Sequence, residues 1–325
     1  MSTPILLDVD TGIDDALALL YIAGSPEAEL VAVTCSAGNA SLADVVRNTR
    51  SILSLAGRPE VEVAPGREGP LVRPLEVTPE THGPRGLGYA EPPEAAGPAS
   101  DRFGPQVIVD EARRRPGELT LVTLGPLTNL AVALAAEPAL PRLLRRWVMM
   151  GGAFRVPGNT TPASEWNVHC DPEAASACLR AWSAAIDEDP GVPRLVAMGL
   201  DVTETAVLLP ESLDALQAAA GPGSALATVI GDALRFYFEF HEQVDGFYGA
   251  HIHDPFVAAC AIDPSLIAQT EPASVDVDAS GGSEDGRTVA HWSPASPNAD
   301  VVLEADASAF LGRLVDRVGR LVQTS

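Results

Sequence analysis

The chain has 325 residues, 46% of them hydrophobic and 20% charged, which is enough apolar side chain for a large packed core and unlike a disordered segment. Its 44 Asp and Glu outweigh 21 basic residues to give a net charge of −23, so neither nucleic acid nor a membrane surface is expected as a partner. All 21 basic residues are arginine, which excludes a P-loop lysine, a lysine Schiff base and a lysine general base. The four cysteines, Cys35, Cys170, Cys178 and Cys260, have no zinc-type or disulfide-type spacing and read as small buried hydrophobes. Only Ile5, Leu6 and Leu7 precede Asp8, too few for a signal-peptide core, so a cytoplasmic location is expected.

In chain order, the apolar run 5–7 predicts a strand that ends in the acidic segment 8–15, where a helical pattern begins. Residues 30–35 predict a second strand and 41–55 a helix. Residues 65–100 hold eight Pro and six Gly and predict a long loop, with His82 among turn-forming residues at its middle. A helix is expected over 101–114, then a buried strand, a turn and a core helix across 119–136. Strand 147–150 leads into an irregular stretch, 151–171, dense in Asn, Thr, Glu and His. Helix 172–182 and strand 195–200 follow, and Phe310, Leu311, Leu314, Val315, Val318, Leu321 and Val322 lie on one stripe of a C-terminal helix. Strands buried on both faces and alternating with helices predict an α/β fold, a single open and largely parallel sheet flanked by helices. The loops at 65–100 and 151–171 are expected to converge at the carboxyl ends of the strands.

The strongest chemical signal is Asp8, Asp10, Asp14 and Asp15 within eight residues at a strand end. Asp14 or Asp15 alone reads as a first-turn acid favoured by the helix dipole. Four together repel one another unless a cation lies among them, and with no lysine and no nearby arginine a hard divalent ion is the economical choice. The EF-hand pattern fails, because Gly12 and Leu19 stand where it needs an oxygen donor and a Glu. Late in the chain, His251-Ile252-His253-Asp254-Pro255 supplies another acid beside two imidazoles. Asp254 alone reads as a cap for a helix starting at Phe256, whereas His253 is suited to proton donation near neutral pH. His169, His241, His251 and His291 read as ordinary surface or satisfied histidines.

The acidic run 8–15 resembles the signature of the inosine-uridine preferring nucleoside hydrolase family. The resemblance continues in order through Gly38-Asn39, His82-Gly83, Gly125-Pro126-Leu127-Thr128-Asn129, Met150-Gly151-Gly152, Gly158-Asn159, Glu165-Trp166-Asn167, Asp171-Pro172-Glu173 and His253-Asp254-Pro255. So many motifs in register are highly specific and span nearly the whole chain. The resemblance implies one domain over 1–325 with a Rossmann-like nucleoside hydrolase fold. It implies calcium-dependent hydrolysis of the N-glycosidic bond of ribonucleosides to free base and ribose. Calcium would be held by Asp10, Asp15, Asp254 and the main-chain carbonyl of Leu124. Asp14, Asn39, Asn159, Glu165 and Asn167 would grip ribose, with Met150 against the sugar and His82 and His253 near the base. Asp10 would take a proton from the attacking water and His253 would protonate the leaving base. A homodimer or homotetramer is expected.

Two other classes compete. Asp8-Val9-Asp10-Thr11 also resembles the nucleophile motif of haloacid dehalogenase-like phosphatases, against which the missing lysine counts. A non-catalytic calcium-dependent sugar-binding protein would keep the ligands but leave Asp10 and His253 without a chemical task. Base preference is divided: His82 and His253 resemble the broad or pyrimidine-accepting branch, while Trp166 resembles a stacking residue of the purine-specific branch.

Overall fold

The computed structural model describes residues 2–220 and 223–324. Its strands are β1 (Thr3–Val9), β2 (Ala28–Cys35), β3 (Glu62–Pro65), β4 (Thr120–Thr123), β5 (Arg146–Met150), β6 (Leu195–Met198), β7 (Val207–Leu208), β8 (Ala250–His251), β9 (Ile267–Val277), β10 (Thr288–Trp292) and β11 (Ala299–Ala305). Nine of them form one sheet in the order β10-β9-β11-β6-β5-β4-β1-β2-β3, and β7 pairs with β8 in a small separate ribbon. Every pairing from β3 across to β11 is parallel, while β9 is antiparallel to both β11 and β10.

The apolar runs that predicted strands are buried on both faces, as central parallel strands are. In β1, Ile5, Leu7 and Val9 enter the core on one face of the sheet and Leu6 the core on the other. In β5, Val148 and Met150 face the first core and Trp147 and Met149 the second. The first core takes in residues of the helices Ile13–Ala23, Leu42–Leu55, Ala225–Val244, His253–Ile262 and Ala307–Thr324. The second takes in Gly104–Arg114, Thr128–Ala136 and Pro172–Glu188. On the C-terminal stripe, Phe310, Leu314, Val318 and Val322 are buried, and the Phe310 ring lies 4.8 Å from Phe256 and 5.9 Å from Tyr21. Leu311, Val315 and Leu321 pack on the margin of the same core.

The sequence-based expectations differ from the structure mainly at the sheet edges. Strand 195–200 ends at Met198, because the chain turns at Gly199 into the short helix Leu200–Thr203. The edge strand β3 and the antiparallel extension β9 to β11 are absent from the predicted set. β9 is buried mainly in its second half, so it lacks the continuous apolar run that marks a central strand. What places the site is the strand order: β2 and β3 lie on one side of β1, and β4, β5 and β6 on the other. The order therefore reverses between β1 and β4, and in such sheets the crevice beyond the carboxyl ends at that point is where ligands bind. Asp10 follows β1 there, and Leu124 follows β4.

Candidate active site

Two helices begin at this crevice, each with acids in its first turn. Gly12 is the N-cap of Ile13–Ala23, which carries Asp14 and Asp15. Ile252 is the N-cap of His253–Ile262, so Asp254 lies within the first turn and does not cap it as its position before Pro255 suggested. The positive ends of both helix dipoles thus face the acids and offset part of their repulsion. Asp14, Asp15 and Asp254 each bring a carboxylate oxygen within 4.8 Å of the others.

Asp15 accepts from the Gly12 amide at 2.8 Å through Oδ2 and from the Asp10 amide at 3.3 Å through Oδ1. Asp10 Oδ2 accepts from the Asn39 amide at 2.7 Å, but its Oδ1 is buried with no hydrogen-bond partner. Gly38 and Gly125 crowd this side chain so closely that a Cβ at Gly125 would lie 2.6 Å from Oδ1. Neither position has room for a side chain.

The electrostatic consequence is large. Asp10, Asp14, Asp15 and Asp254 are all buried, and among the described residues no arginine pairs with any of them. Burial, then the charge of Asp15, pushes Asp14 up to about 7, although the amides of His253 and Asp254 favour its carboxylate. Burial and the neighbouring acids hold Asp10 and Asp254 well above the usual carboxylate range, and burial raises Asp15 as well. A hard divalent cation relieves this condition, and a set of oxygen donors with one orphaned carboxylate oxygen fits such an ion. The tightest trio holds Asp14 where the expected ligand set has Asp10. The Leu124 carbonyl accepts from Asn167 Nδ2 at 2.6 Å and keeps a second lone pair.

The other expected substrate contacts sit on the loops around this cluster. Asn39 donates to Asp15 Oδ2 at 3.2 Å, while its own Oδ1 is buried and unpartnered. Glu165 is the N-cap of Trp166–Cys170: Oε1 accepts from the Asn167 amide at 2.8 Å, and Oε2 from the Gly152 amide at 2.9 Å and the Val168 amide at 3.2 Å. Met150 is buried, with its sulfur 3.2 Å from Asn167 Nδ2. Asn159 is exposed and its Oδ1 accepts from the Trp166 amide at 3.0 Å. The Trp166 ring stacks on His169 of the same short helix, centroids 6.2 Å apart.

The two histidines expected near the base are both brought to this end of the sheet. His82 lies on the short helix Pro79–His82 within the long loop, and its Nδ1 accepts from the Ile13 amide at 3.2 Å, which leaves the ring proton on Nε2. His253 Nδ1 lies 2.9 Å from Thr203 Oγ1. Burial pushes both imidazoles down to about 3, with further lowering from His241 at His82 and from His251, His241 and His82 at His253. Both rings are therefore neutral at pH 7.

Sequence reasoning missed Thr203, which holds His253, and the ring of Tyr237 lies 5.5 Å from His82. It also gave no role to Asp8, whose Oδ1 accepts from Thr34 at 2.6 Å and Asn129 at 2.8 Å below the acid cluster. Asp8 and Asn129 stand in the quoted motifs, so the signal was present without an assignment. His241, expected to be satisfied, is buried with its Nε2 unpartnered, because the fold encloses it among aromatic rings.

A family model described as "Inosine-uridine preferring nucleoside hydrolase" matches residues 5–312. The chain belongs to this family. It is accordingly an N-glycosidic hydrolase acting on ribonucleosides, which sets aside the phosphatase and sugar-binding alternatives. The pyrimidine-specific ribonucleoside hydrolase RihA of Salmonella newport (strain SL254) is 35% identical over 322 residues, covering 98% of this chain and 99% of that protein. Among solved structures, a purine-preferring ribonucleoside hydrolase from Gardnerella vaginalis superposes with a TM-score of 0.90 at 30% identity, covering 99% of this chain and 100% of that one. The plant nucleoside hydrolase PpNRh1 gives 0.88 at 28% identity, covering 98% and 99%. Membership implies a metal cofactor, and the acidic cluster is a possible site for it. Among the described residues no helix is long and apolar enough to cross a membrane.

The raised carboxylates make a prediction for protein stripped of metal. Asp14 holds its proton to about 7 when folded but releases it near 3.8 when unfolded. Its contribution to stability is complete below the unfolded value and is lost as pH rises through the folded one. The melting temperature of chelator-treated protein should fall between about pH 4 and about pH 7, and Asp14→Asn should flatten the fall. A slope unchanged in Asp14→Asn, followed by differential scanning fluorimetry, would contradict the raised value.

Proposed function

We propose that this chain hydrolyses ribonucleosides with calcium as its cofactor and with a preference for pyrimidine bases. The observation that carries this reading is the set of buried, mutually repelling carboxylates at the reversal point of the sheet, with the buried His82 and half-buried His253 imidazoles beside it. Asp10, Asp15, Asp254 and the Leu124 carbonyl would hold the ion. A cage of protein oxygens suits calcium, whereas magnesium keeps most of its water. When bound, calcium supplies Lewis-acid activation of water and a positive charge that orients ribose hydroxyls.

The protein's own groups do the rest. Asp10 takes the proton of the attacking water through its open Oδ1, held in place by the Asn39 amide and by the two glycines that crowd it. Asn39 offers an unpartnered Oδ1 to a sugar hydroxyl, and Asp14, Asn159, Glu165 and Asn167 complete the ribose contacts, with Met150 along the ring. As the glycosidic bond breaks, the ribosyl group gains oxocarbenium character that the surrounding carboxylates stabilise in a water-poor crevice.

Negative charge then builds on the leaving base, and His253, fixed by Thr203, takes up a proton from solvent as the bond breaks and passes it to the base, returning to its neutral form. That charge raises the proton affinity of a ring that is neutral at rest. His82 presents its Nε2–H as a hydrogen-bond donor on the same side. The pyrimidine preference is supported by the RihA relatives and by Trp166, whose ring is engaged with His169. One domain, a homodimer or homotetramer, and a cytoplasmic setting for its four buried free cysteines complete the proposal.

Ribose release from uridine, cytidine, inosine and adenosine tests the reading directly. Uridine or cytidine should exceed inosine by at least about tenfold in kcat/KM, a calcium-selective chelator should abolish turnover, and calcium should restore it. Full activity in demonstrably metal-free protein would refute the cofactor, and a preference for inosine would refute the base assignment.

Leaving-group chemistry tests His253. A nucleobase benefits from protonation by about 100-fold to 10,000-fold, whereas p-nitrophenolate leaves readily without it. His253→Ala should slow uridine hydrolysis by a factor in that range while sparing p-nitrophenyl riboside. Equal losses on both substrates would assign His253 to the sugar or the metal instead of the base.

A further inference from the structure

His241, Asp245 and His251 lie outside the acidic cluster, at the end of the helix Ala225–Val244 and on β8, and each has a metal-ligating atom within 4.8 Å of the others. His241 is only 5% exposed, and its Nε2 is buried with no hydrogen-bond partner. A buried imidazole nitrogen left open in this way is costly unless something binds it. Its Nδ1 lies 2.6 Å from Asp245 Oδ2, a carboxylate oxygen that accepts the Nδ1 proton and leaves the lone pair on Nε2. His251 Nδ1 lies 2.7 Å from the Glu204 carbonyl, which can only accept, so His251 likewise presents Nε2 as an acceptor.

Two imidazoles whose far nitrogens are each anchored on an oxygen acceptor have the outer arrangement that metal-ligating histidines adopt. Burial lowers the pKa of His241 even though Asp245 opposes it, so the neutral, ligating form prevails at neutral pH. The rings of Tyr237, Phe240 and Phe247, with centroids 4.7, 5.2 and 5.8 Å from His241, form an apolar wall around it, while Asp245 is exposed and leaves a path for an ion.

We infer that His241 and His251, each through its Nε2, form a second metal site that takes a borderline divalent cation of the zinc type, with Asp245 outside the ligand set fixing the His241 ring. Imidazole nitrogens favour zinc, nickel or copper, whereas the oxygen-only cluster of Asp14, Asp15 and Asp254 favours hard ions, so the two sites select different metals. The His241 and His251 ring centroids lie 5.2 Å apart, and water completes the coordination of the ion. The His251 and His253 ring centroids are 6.2 Å apart, which puts a dication on the base side of the crevice, where it would slow turnover. The inference rests on the histidine geometry and does not depend on calcium being the ion of the acidic cluster.

Zinc is titrated into the calcium-saturated full-length protein in competition with a chromophoric chelator, and cobalt is used in parallel for its visible d–d bands. One zinc should bind with a Kd on the order of micromolar or tighter, weakened at least about tenfold in both His251→Gln and Asp245→Asn. Asp245 is at the surface, so its asparagine variant keeps the fold and decides the matter even if His251→Gln does not express. Asp14→Asn should keep the zinc affinity and the cobalt spectrum. The inference is overturned if no zinc binds at about 100 micromolar, if Asp245→Asn binds it unchanged, or if zinc binding is lost in Asp14→Asn.

Discussion

Like charges buried together at the carboxyl end of a parallel sheet repel one another where water cannot screen them, and much else in this molecule is arranged around that repulsion. Asp10, Asp14, Asp15 and Asp254 sit within two helix first turns and one strand end, all withdrawn from solvent. Two helix N-termini and the amides of Gly12, Asn39, His253 and Asp254 supply partial positive charge. These dipoles do not restore ordinary carboxylate behaviour, since burial and the neighbouring acids still push Asp14 up to about 7 and hold Asp10 well above the usual carboxylate range. The chain has no lysine, and among the described residues no arginine pairs with these acids, so compensation has to come from outside the polypeptide.

The fold delivers this arrangement by topology. Reversal of strand order between β1 and β4 opens the crevice that Asp10 and the Leu124 carbonyl border. The helix entered from β1 brings Asp14 and Asp15, and a helix some 240 residues later in the sequence brings Asp254. The long loop after β3 carries His82 back onto the first turn of Ile13–Ala23. Glu165 caps the short helix that aims Asn167 at the Leu124 carbonyl. Burial that raises the acids also lowers the two imidazoles, so one environment favours the uncharged form of both kinds of group.

Much of this was legible in the sequence. Strands buried on both faces leave unbroken apolar runs, and β1, β2, β4, β5 and β6 were found from them. Edge strands leave none: β3 is four residues long and β9 is half exposed. The acid cluster was visible because packing has no use for four adjacent carboxylates, and Asp254 joined it through the family motif. Contacts that span the chain left no local trace, as with Thr203 on His253, fifty residues apart, or Tyr237 against His82. Trp166 has a functional look in the sequence, and its ring lies 6.2 Å from that of His169 on the same short helix. His241 looked ordinary because nothing in its sequence neighbourhood reveals that one nitrogen is enclosed and unanswered.

The most direct test of the central constraint is calcium titration by calorimetry at about pH 6 in buffers of different ionisation enthalpy, which counts the protons released on binding. Ligating carboxylates must be deprotonated; Asp14, pushed up to about 7, holds a proton at that pH in the metal-free protein, and Asp10 and Asp254 are raised beside it. Release of about one proton or more per calcium at pH 6, declining toward about pH 9, is the result expected if the buried acids are the ion's ligands. Calcium binding with an observed enthalpy independent of buffer at pH 6 would mean that the ion does not resolve the repulsion at this crevice.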